Sequence, residues 1–280
     1  MLISINFLAF ILVTWFAVYR FVGIVNSRIK FIKLGKPTNL KKDTKQRISE
    51  FLRNVFGQKK LLKDVKSGVM HIIMFYGFLI LQFGAVELVI KGFVKGFEYP
   101  IGTYHHIFSL IQETTTFLVL LAVLYAYYRR YIEKLNRLKR GLKSGLVIIF
   151  LTSLVFSIFL SLSFEHLWLG DKGFNIYTPI SSMIAGWFQG ISLITAGFIF
   201  YIFWLVHLLT LLSFLVYVPQ SKHAHLLFAP LNVFLRDTKP IGKLTSINFE
   251  DDTQEVYGVN KIEGFRQNQL IDLYACVECG

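Results

Sequence analysis

Five stretches of this chain are each long and apolar enough to cross the roughly 30 Å hydrocarbon core of a bilayer, which takes about 20 helical residues. They run approximately over Ile3–Ile24, Val69–Ile90, Ile107–Tyr128, Leu146–Phe164 and Ile191–Val218. In hydrocarbon every backbone N–H and C=O has to be satisfied without water, and helices do this within one segment. The expected fold is therefore an all-α membrane protein built as a five-transmembrane-helix bundle. Met1 leads straight into the first apolar run, with no basic leader and no small-residue cleavage pattern, so that run is kept as a helix.

Charge orients the bundle. Hydrophobic residues make up 54% of the chain, yet its formal net charge is +13, so the cations are concentrated. Thirteen Lys and Arg fall between Asn26 and Ser67, from Arg28 to Lys66, and seven more between Arg129 and Lys143. The stretches Lys91–His106 and Glu165–Gly190 hold few charges. The positive-inside rule places both basic loops in the cytoplasm and the N-terminus outside. Five spans then leave everything after Pro219 as a short cytoplasmic C-terminal tail. Topology accounts for the basic balance, and nucleic-acid binding is not needed to explain it. Within the first basic loop, Ile48, Phe51, Leu52, Val55 and Phe56 recur at helical spacing. That piece reads as a basic linker at the headgroup layer, with a docking surface for a partner as the lesser alternative.

Histidine supplies the chemistry. His207 lies inside the fifth span, where an ionisable residue marks a functional site by default. His71 sits a few residues inside the cytoplasmic end of the second span, and His225 just beyond the cytoplasmic end of the fifth. The last two reach the same depth and can supply the two axial ligands of a haem iron. His207 is roughly 18 Å deeper at 1.5 Å per residue, at a level suited to a second haem. Two imidazoles leave the iron no open position, which suits electron transfer. A polar residue hydrogen-bonded between helices is the ordinary alternative for any one of them.

His207, Pro219, Lys222, His225, Pro230 and Arg236 reproduce a spacing that resembles the end of the cytochrome b (gamma) subunit of respiratory nitrate reductase. That family has five spans and an outside N-terminus. The resemblance implies that His71, in GVMHIIMFYGF, and His225 hold the cytoplasm-side haem b, with His223 as the less favoured substitute for His225. It also implies a second ligand deeper in the second span, opposite His207. Here that region reads GFLILQFGAVE, with no histidine; Gln82 falls near the face of His71, but glutamine is not a usual haem ligand. Among His105, His106 and His166, all near the outer surface, His106 is the preferred partner for His207. The expected haem count is one or two.

The tail carries a second signal. It ends DLYACVECG, with Cys276 and Cys279 in C-x2-C spacing and no other cysteine in the chain, which excludes a disulfide framework. A four-iron cluster of the bacterial ferredoxin type takes C-x2-C-x2-C-x3-C-P, of which these are the first two ligands. The wording is similar to the junction in bacterial membrane-bound iron–sulfur oxidoreductases of the heterodisulfide-reductase-like type. There, a nitrate-reductase-gamma-like domain precedes two 4Fe–4S clusters. By that resemblance, residues 1–236 form a haem b membrane domain. Residues 237–280 form a cytoplasmic linker and the start of a shortened ferredoxin-like domain. The function implied is an oxidoreductase of the bacterial cell membrane, passing electrons between an iron–sulfur module fed by electron-transfer flavoprotein and the membrane quinone. Catalytic residues are not identifiable. Glu87, Gln112, Glu113 and Gln189 are candidates for proton exchange with quinone or for plain interhelical hydrogen bonds. Arg129 and Arg130 read as topology anchors, with pairing to haem propionates as the lesser alternative. A haem-free transporter or metal/redox sensor is the alternative; the inverted repeats expected of many transporters are not seen.

Overall fold

The computed structural model describes residues 2–38, 43–136, 138, 140–171, 173–236 and 258–277, with residues 2–6 described in backbone only. Each of the five apolar stretches forms one helix: α1 (Leu2–Ile32), α3 (Val65–Lys91), α4 (Tyr104–Tyr127), α5 (Leu142–Leu169) and α7 (Leu193–Tyr217). All five are long and apolar enough to cross a membrane. Four shorter helices join them: α2 (Thr44–Phe51), α6 (Pro179–Trp187), α8 (His225–Leu235) and α9 (Gln267–Ala275). The fold is an all-α five-helix membrane bundle, with no strand among the described residues. The helices overrun the expected apolar limits by several residues because charged and aromatic ends continue the helical hydrogen bonding past the apolar run.

The chain divides into two compact units. The first comprises the described residues of Met1–Ala17 and Leu61–Leu215. In it α3 and α4 approach closely at Gly77, where a Cβ would overlap the Val119 side chain. Val119 and Val123 of α4 and Val155 and Phe159 of α5 form a core that takes in Ile73 and Met74 of α3 and Ile180 and Ile184 of α6. Toward the other end Leu88, Phe164, Leu167, Ala185, Ala196 and Phe200 form a second core. Along α7 a ladder of side chains meets α5. Its rungs are Phe150–Phe214 at 5.6 Å between centroids, Ser153–Thr210 at 3.2 Å and Ser157–His207 at 2.9 Å. Phe164–Phe203 and Trp168–Phe200 continue it at 6.1 Å and 5.4 Å between centroids. Numbers rise on one helix as they fall on the other, so the two are antiparallel.

Two details fix the ends of this unit. The Trp204 indole N–H donates to the Leu88 carbonyl at 2.9 Å, satisfying one of the acceptors that a helix leaves open at its C-terminus. Gly92 makes room for it, since a Cβ there would overlap the indole ring. The stretch Glu165–Gly190, which joins two of the expected spans, contains α6, which starts at Pro179. The Glu113 carboxylate of α4 caps it, accepting from Ile180 N at 2.9 Å, from Ser181 N at 2.7 Å and from the Ser181 hydroxyl. A carboxylate there meets both the unpaired N–H groups and the positive end of the helix dipole.

The second unit comprises the described residues of Val18–Lys60 and of Val216–Cys279. Ile32, Ala224, Phe228, Leu270 and Ile271 form its core. Helix α9 lies along α8, with Phe228 against Tyr274 at 5.3 Å between centroids and Asn232 donating to Asp272. Arg28 stacks over Tyr274 at 4.8 Å, and the Lys36 backbone exchanges hydrogen bonds with Phe265 and Gln267 at 2.8 Å and 3.0 Å. The first basic loop is more than a linker. Its helix α2 packs on α8, and buried Arg47 donates to the Phe234 and Arg236 carbonyls at 2.9 Å and 2.8 Å. Glu50 pairs with Arg236 at 2.8 Å. The Gln46 amide, then Arg236, hold the Glu50 carboxyl below its ordinary range, so this pairing is present at neutral pH and is lost as pH falls through that lowered value.

Glu113 is 1% exposed, and its three donors would be left unpaired in Glu113→Ala. That variant is expected to unfold with about 2–3 kcal/mol less stability. Exposed Glu133→Ala should stay close to wild type, with thermal unfolding in detergent as the measurement.

Candidate functional site

The three histidines expected to ligate haem occupy different settings. His207 is 2% exposed. The Ser157 hydroxyl gives its own proton to the Leu154 carbonyl at 2.8 Å and therefore accepts from His207 Nδ1 at 2.9 Å. That assigns the proton to Nδ1 and the lone pair to Nε2. Nε2 is buried and, among the described residues, has no hydrogen-bond partner. His225 opens α8 with the same polarity: its Nδ1 donates to the Lys222 carbonyl at 3.0 Å, again leaving the lone pair on Nε2. Burial, helped by the Lys222 charge, pushes its pKa below the ordinary histidine value, so the ring is neutral at neutral pH. An anchored Nδ1–H with a bare Nε2 is the arrangement that orients imidazole toward a metal. His71 lies half-buried on α3, in the first unit. His223 stands beside His225, with ring centroids 5.8 Å apart, and its backbone N–H is capped by Ser221.

His106 is exposed on the first turn of α4 and stacks on Tyr177 at 4.7 Å between centroids. Tyr177 adjoins Thr178, whose hydroxyl bonds His166 at 2.9 Å, whereas His207 bonds Ser157 on the same helix α5. The two levels are nine residues apart on α5, roughly 13 Å. The structure does not bring His106 to His207. Gln82 is exposed and bonds back to the Phe78 carbonyl of its own helix. Cys276 is an exposed free thiol immediately after α9. Cys279 lies outside the described residues. Among the described residues no group of three or more His, Cys, Asp or Glu is placed to hold a metal ion.

Sequence reasoning missed a polar cluster at the end of the first unit where α3 finishes and α4 begins. Lys91 Nζ lies 2.7 Å from Glu165 Oε2 and 3.4 Å from Glu87 Oε1. His105 Nε2 lies 3.1 Å from Glu87 Oε2, and its Nδ1 3.4 Å from Glu98 Oε2. Glu87, Lys91, His105 and Glu165 are all buried, whereas the Glu98 side chain is 64% exposed. These groups border a cavity of about 160 Å³, lined also by Gln112, whose Nε2 donates to the Ile80 carbonyl at 3.0 Å. Glu165 Oε1 and Gln112 Oε1 are buried without a hydrogen-bond partner among the described residues. Both are acceptors, and both belong to residues that border the cavity. Glu87 and Gln112 were singled out in the sequence one by one, and the i,i+4 spacing of Glu87 and Lys91 puts both on one helix face, but their grouping with His105 and Glu165 was not legible. Gln112 and Glu113 both engage neighbouring elements, as interhelical hydrogen bonding predicts.

The chain is similar to two curated proteins. One, named "Probable iron-sulfur-binding oxidoreductase FadF", from Bacillus subtilis (strain 168), is 51% identical over 275 residues, covering 98% of this chain and 39% of that protein. The other, named "EtfAB:quinone oxidoreductase", from Syntrophomonas wolfei, is 27% identical over 249 residues, covering 84% of this chain and 34% of that protein. Both relatives are named oxidoreductases, and this chain spans little more than a third of their length. No family model matches the chain, and no solved structure matches it.

Lys91 is the shared cation of two buried carboxylates, so Lys91→Met should cost about 3–5 kcal/mol by leaving both unpaired. Adding Glu165→Gln is expected to recover part of that loss, read as unfolding midpoints of the single and double variants.

Proposed function

We propose that this chain is the membrane part of an electron-transfer oxidoreductase, exchanging electrons between iron–sulfur chemistry on the cytoplasmic side and the membrane quinone through b-type haem. The observation that carries the reading is the shared polarity of His207 and His225, each with Nδ1 tied to an oxygen acceptor and Nε2 left as the ligating atom. The orphaned, buried Nε2 of His207 fits a metal better than a structural histidine, which would spend both nitrogens on hydrogen bonds. The names of the two relatives supply the electron partners of the proposal: iron–sulfur binding from one, electron-transfer flavoprotein and quinone from the other. The bacterial cell membrane is the proposed location, with the N-terminus outside and the tail in the cytoplasm.

His71, His225 and His207 are the proposed haem ligands, for one haem or two. Haem bound through imidazole supplies a one-electron carrier with no open coordination position. The protein's own contribution is to fix each imidazole tautomer through Ser157 and Lys222 and to keep water away from His207. Cys276 and Cys279 provide two of the four thiolates that a four-iron cluster takes. That donor set does not complete a cluster within this chain, and no step is drawn through one.

The test is a reduced-minus-oxidised spectrum with pyridine-haemochrome quantification of the chain purified in detergent. Wild type should carry haem b, His71→Ala and His225→Ala should each lose haem, and His207→Ala should lose it only if a second haem is bound. No haem in wild type after expression with ample haem supply would sink this reading and bring a transporter or sensor forward.

A further inference from the structure

The buried cluster forms a continuous chain of polar contacts from the surface to the cavity. Glu98, two-thirds exposed, lies within 3.4 Å of His105, which lies within 3.1 Å of Glu87. Glu87 is 3.4 Å and Glu165 2.7 Å from the Lys91 ammonium between them. Both ring nitrogens of His105 face carboxylate oxygens, so a proton received on one side can leave from the other. The chain ends at Glu165, a residue that borders the cavity and whose Oε1 is buried without a hydrogen-bond partner among the described residues. The other titratable groups bordering the cavity are His106 and Tyr177, stacked on each other, and His166 and Asp171, 3.7 Å apart at the end of α5. Of these four, His166 is close enough to Glu165 to act on it electrostatically, so it flanks the relay at its cavity end.

We propose that Glu165 is the group that exchanges protons with a quinone-class ligand in this cavity, and that Lys91, Glu87, His105 and Glu98 relay those protons to and from the surface. The proposal rests on the quinone reading above and adds the site and route of its protons. Reducing a quinone converts two carbonyls into two hydroxyls, taking two electrons from the reduced donor and two protons through Glu165, which is reprotonated along the relay after each transfer. Oxidation of the quinol reverses every step: each hydroxyl proton passes to Glu165 Oε1 and out through Glu98, and the two electrons leave to the acceptor. Gln112 Oε1 accepts a hydrogen bond from a hydroxyl in the cavity but cannot carry its proton, so it is a positioning residue. The cavity thus selects for a ligand that can present O–H donors.

The experiment uses the whole chain in detergent under anaerobic conditions, with menadiol as the probe. Infrared difference spectra are recorded on oxidation of menadiol by added ferricyanide in H₂O and in D₂O, alongside haem quantification of the same samples. Menadiol should produce a protonated-carboxyl band that shifts in D₂O, disappears in Glu165→Gln and persists in Glu133→Gln, whose carboxylate is exposed and outside the cluster. Re-oxidation of the chemically reduced haem by menadione should slow about 100-fold in Glu165→Gln, as for loss of a general acid–base group. Glu98→Gln alters only an exposed side chain and should therefore fold; it should keep the band but slow its appearance several-fold after a pH jump. An unchanged band in Glu165→Gln, no band in wild type, or an unaltered rate in Glu98→Gln would overturn the proposal. Haem present without the band refutes the proton cluster alone, and the band without haem refutes the electron-transfer reading alone.

Discussion

A charged or polar group in a low-dielectric interior persists only where a partner meets it, and this chain is organised by that condition. Lys91 is held between Glu87 and Glu165, Glu113 by the start of α6, His207 by Ser157, and the Trp204 N–H by the end of α3. Each of these joins two elements that apolar packing alone would leave free to rotate or slide. In lipid the tails are as apolar as leucine, so side-chain packing and such polar junctions specify how helices pair. The apolar cores then fill the space that the junctions define, with Val119, Val155 and Phe159 in one layer and Leu88, Phe164 and Phe200 in another.

The five helices were legible in the sequence because hydrocarbon thickness imposes a length and composition that few other contexts imitate. The short helix α6 was not, since its formation depends on Glu113, sixty-odd residues earlier, reaching its first N–H groups. The helical spacing of α2 was legible, but its packing was not: amid so many cations its apolar positions looked like a headgroup-layer stripe, whereas α2 packs on α8 from the far end of the chain. Among the candidate site residues, His207 and His225 were singled out from depth and spacing. Their tautomers could not be, because Ser157 and the Lys222 carbonyl become acceptors only through three-dimensional placement. His106 was favoured over its neighbour on position alone, yet one residue is about 100° around a helix. His105 turns inward to Glu87 while His106 turns out to Tyr177.

The two kinds of polar site in the molecule differ in what they ask of their surroundings. A ligating imidazole needs one nitrogen committed and the other idle, a state that a buried side chain tolerates only if something else fills the vacancy. The cluster around Lys91 is the reverse, with its groups joined one to the next and, among the described residues, unpartnered oxygens at Glu165 and Gln112 beside the cavity. The first arrangement holds a group in place. The second lets protons pass because each member already touches the next.

Along α5, Ser153, Ser157 and Ser161 recur every four residues on one face, and the Ser161 hydroxyl is buried with no partner among the described residues. A displacement of α7 by one helical turn, roughly 5.4 Å, would give His207 an equivalent hydroxyl at Ser161. Hydrogen bonding alone therefore does not choose between two vernier positions of the helix. The aromatic rungs at Phe214, Phe203 and Phe200 break that degeneracy, since bulky rings cannot skip a turn without colliding with their neighbours. Depth of the buried imidazole is thus set by the indexing of phenylalanines, and exchanging one of them for a small side chain would loosen the gauge that locates it.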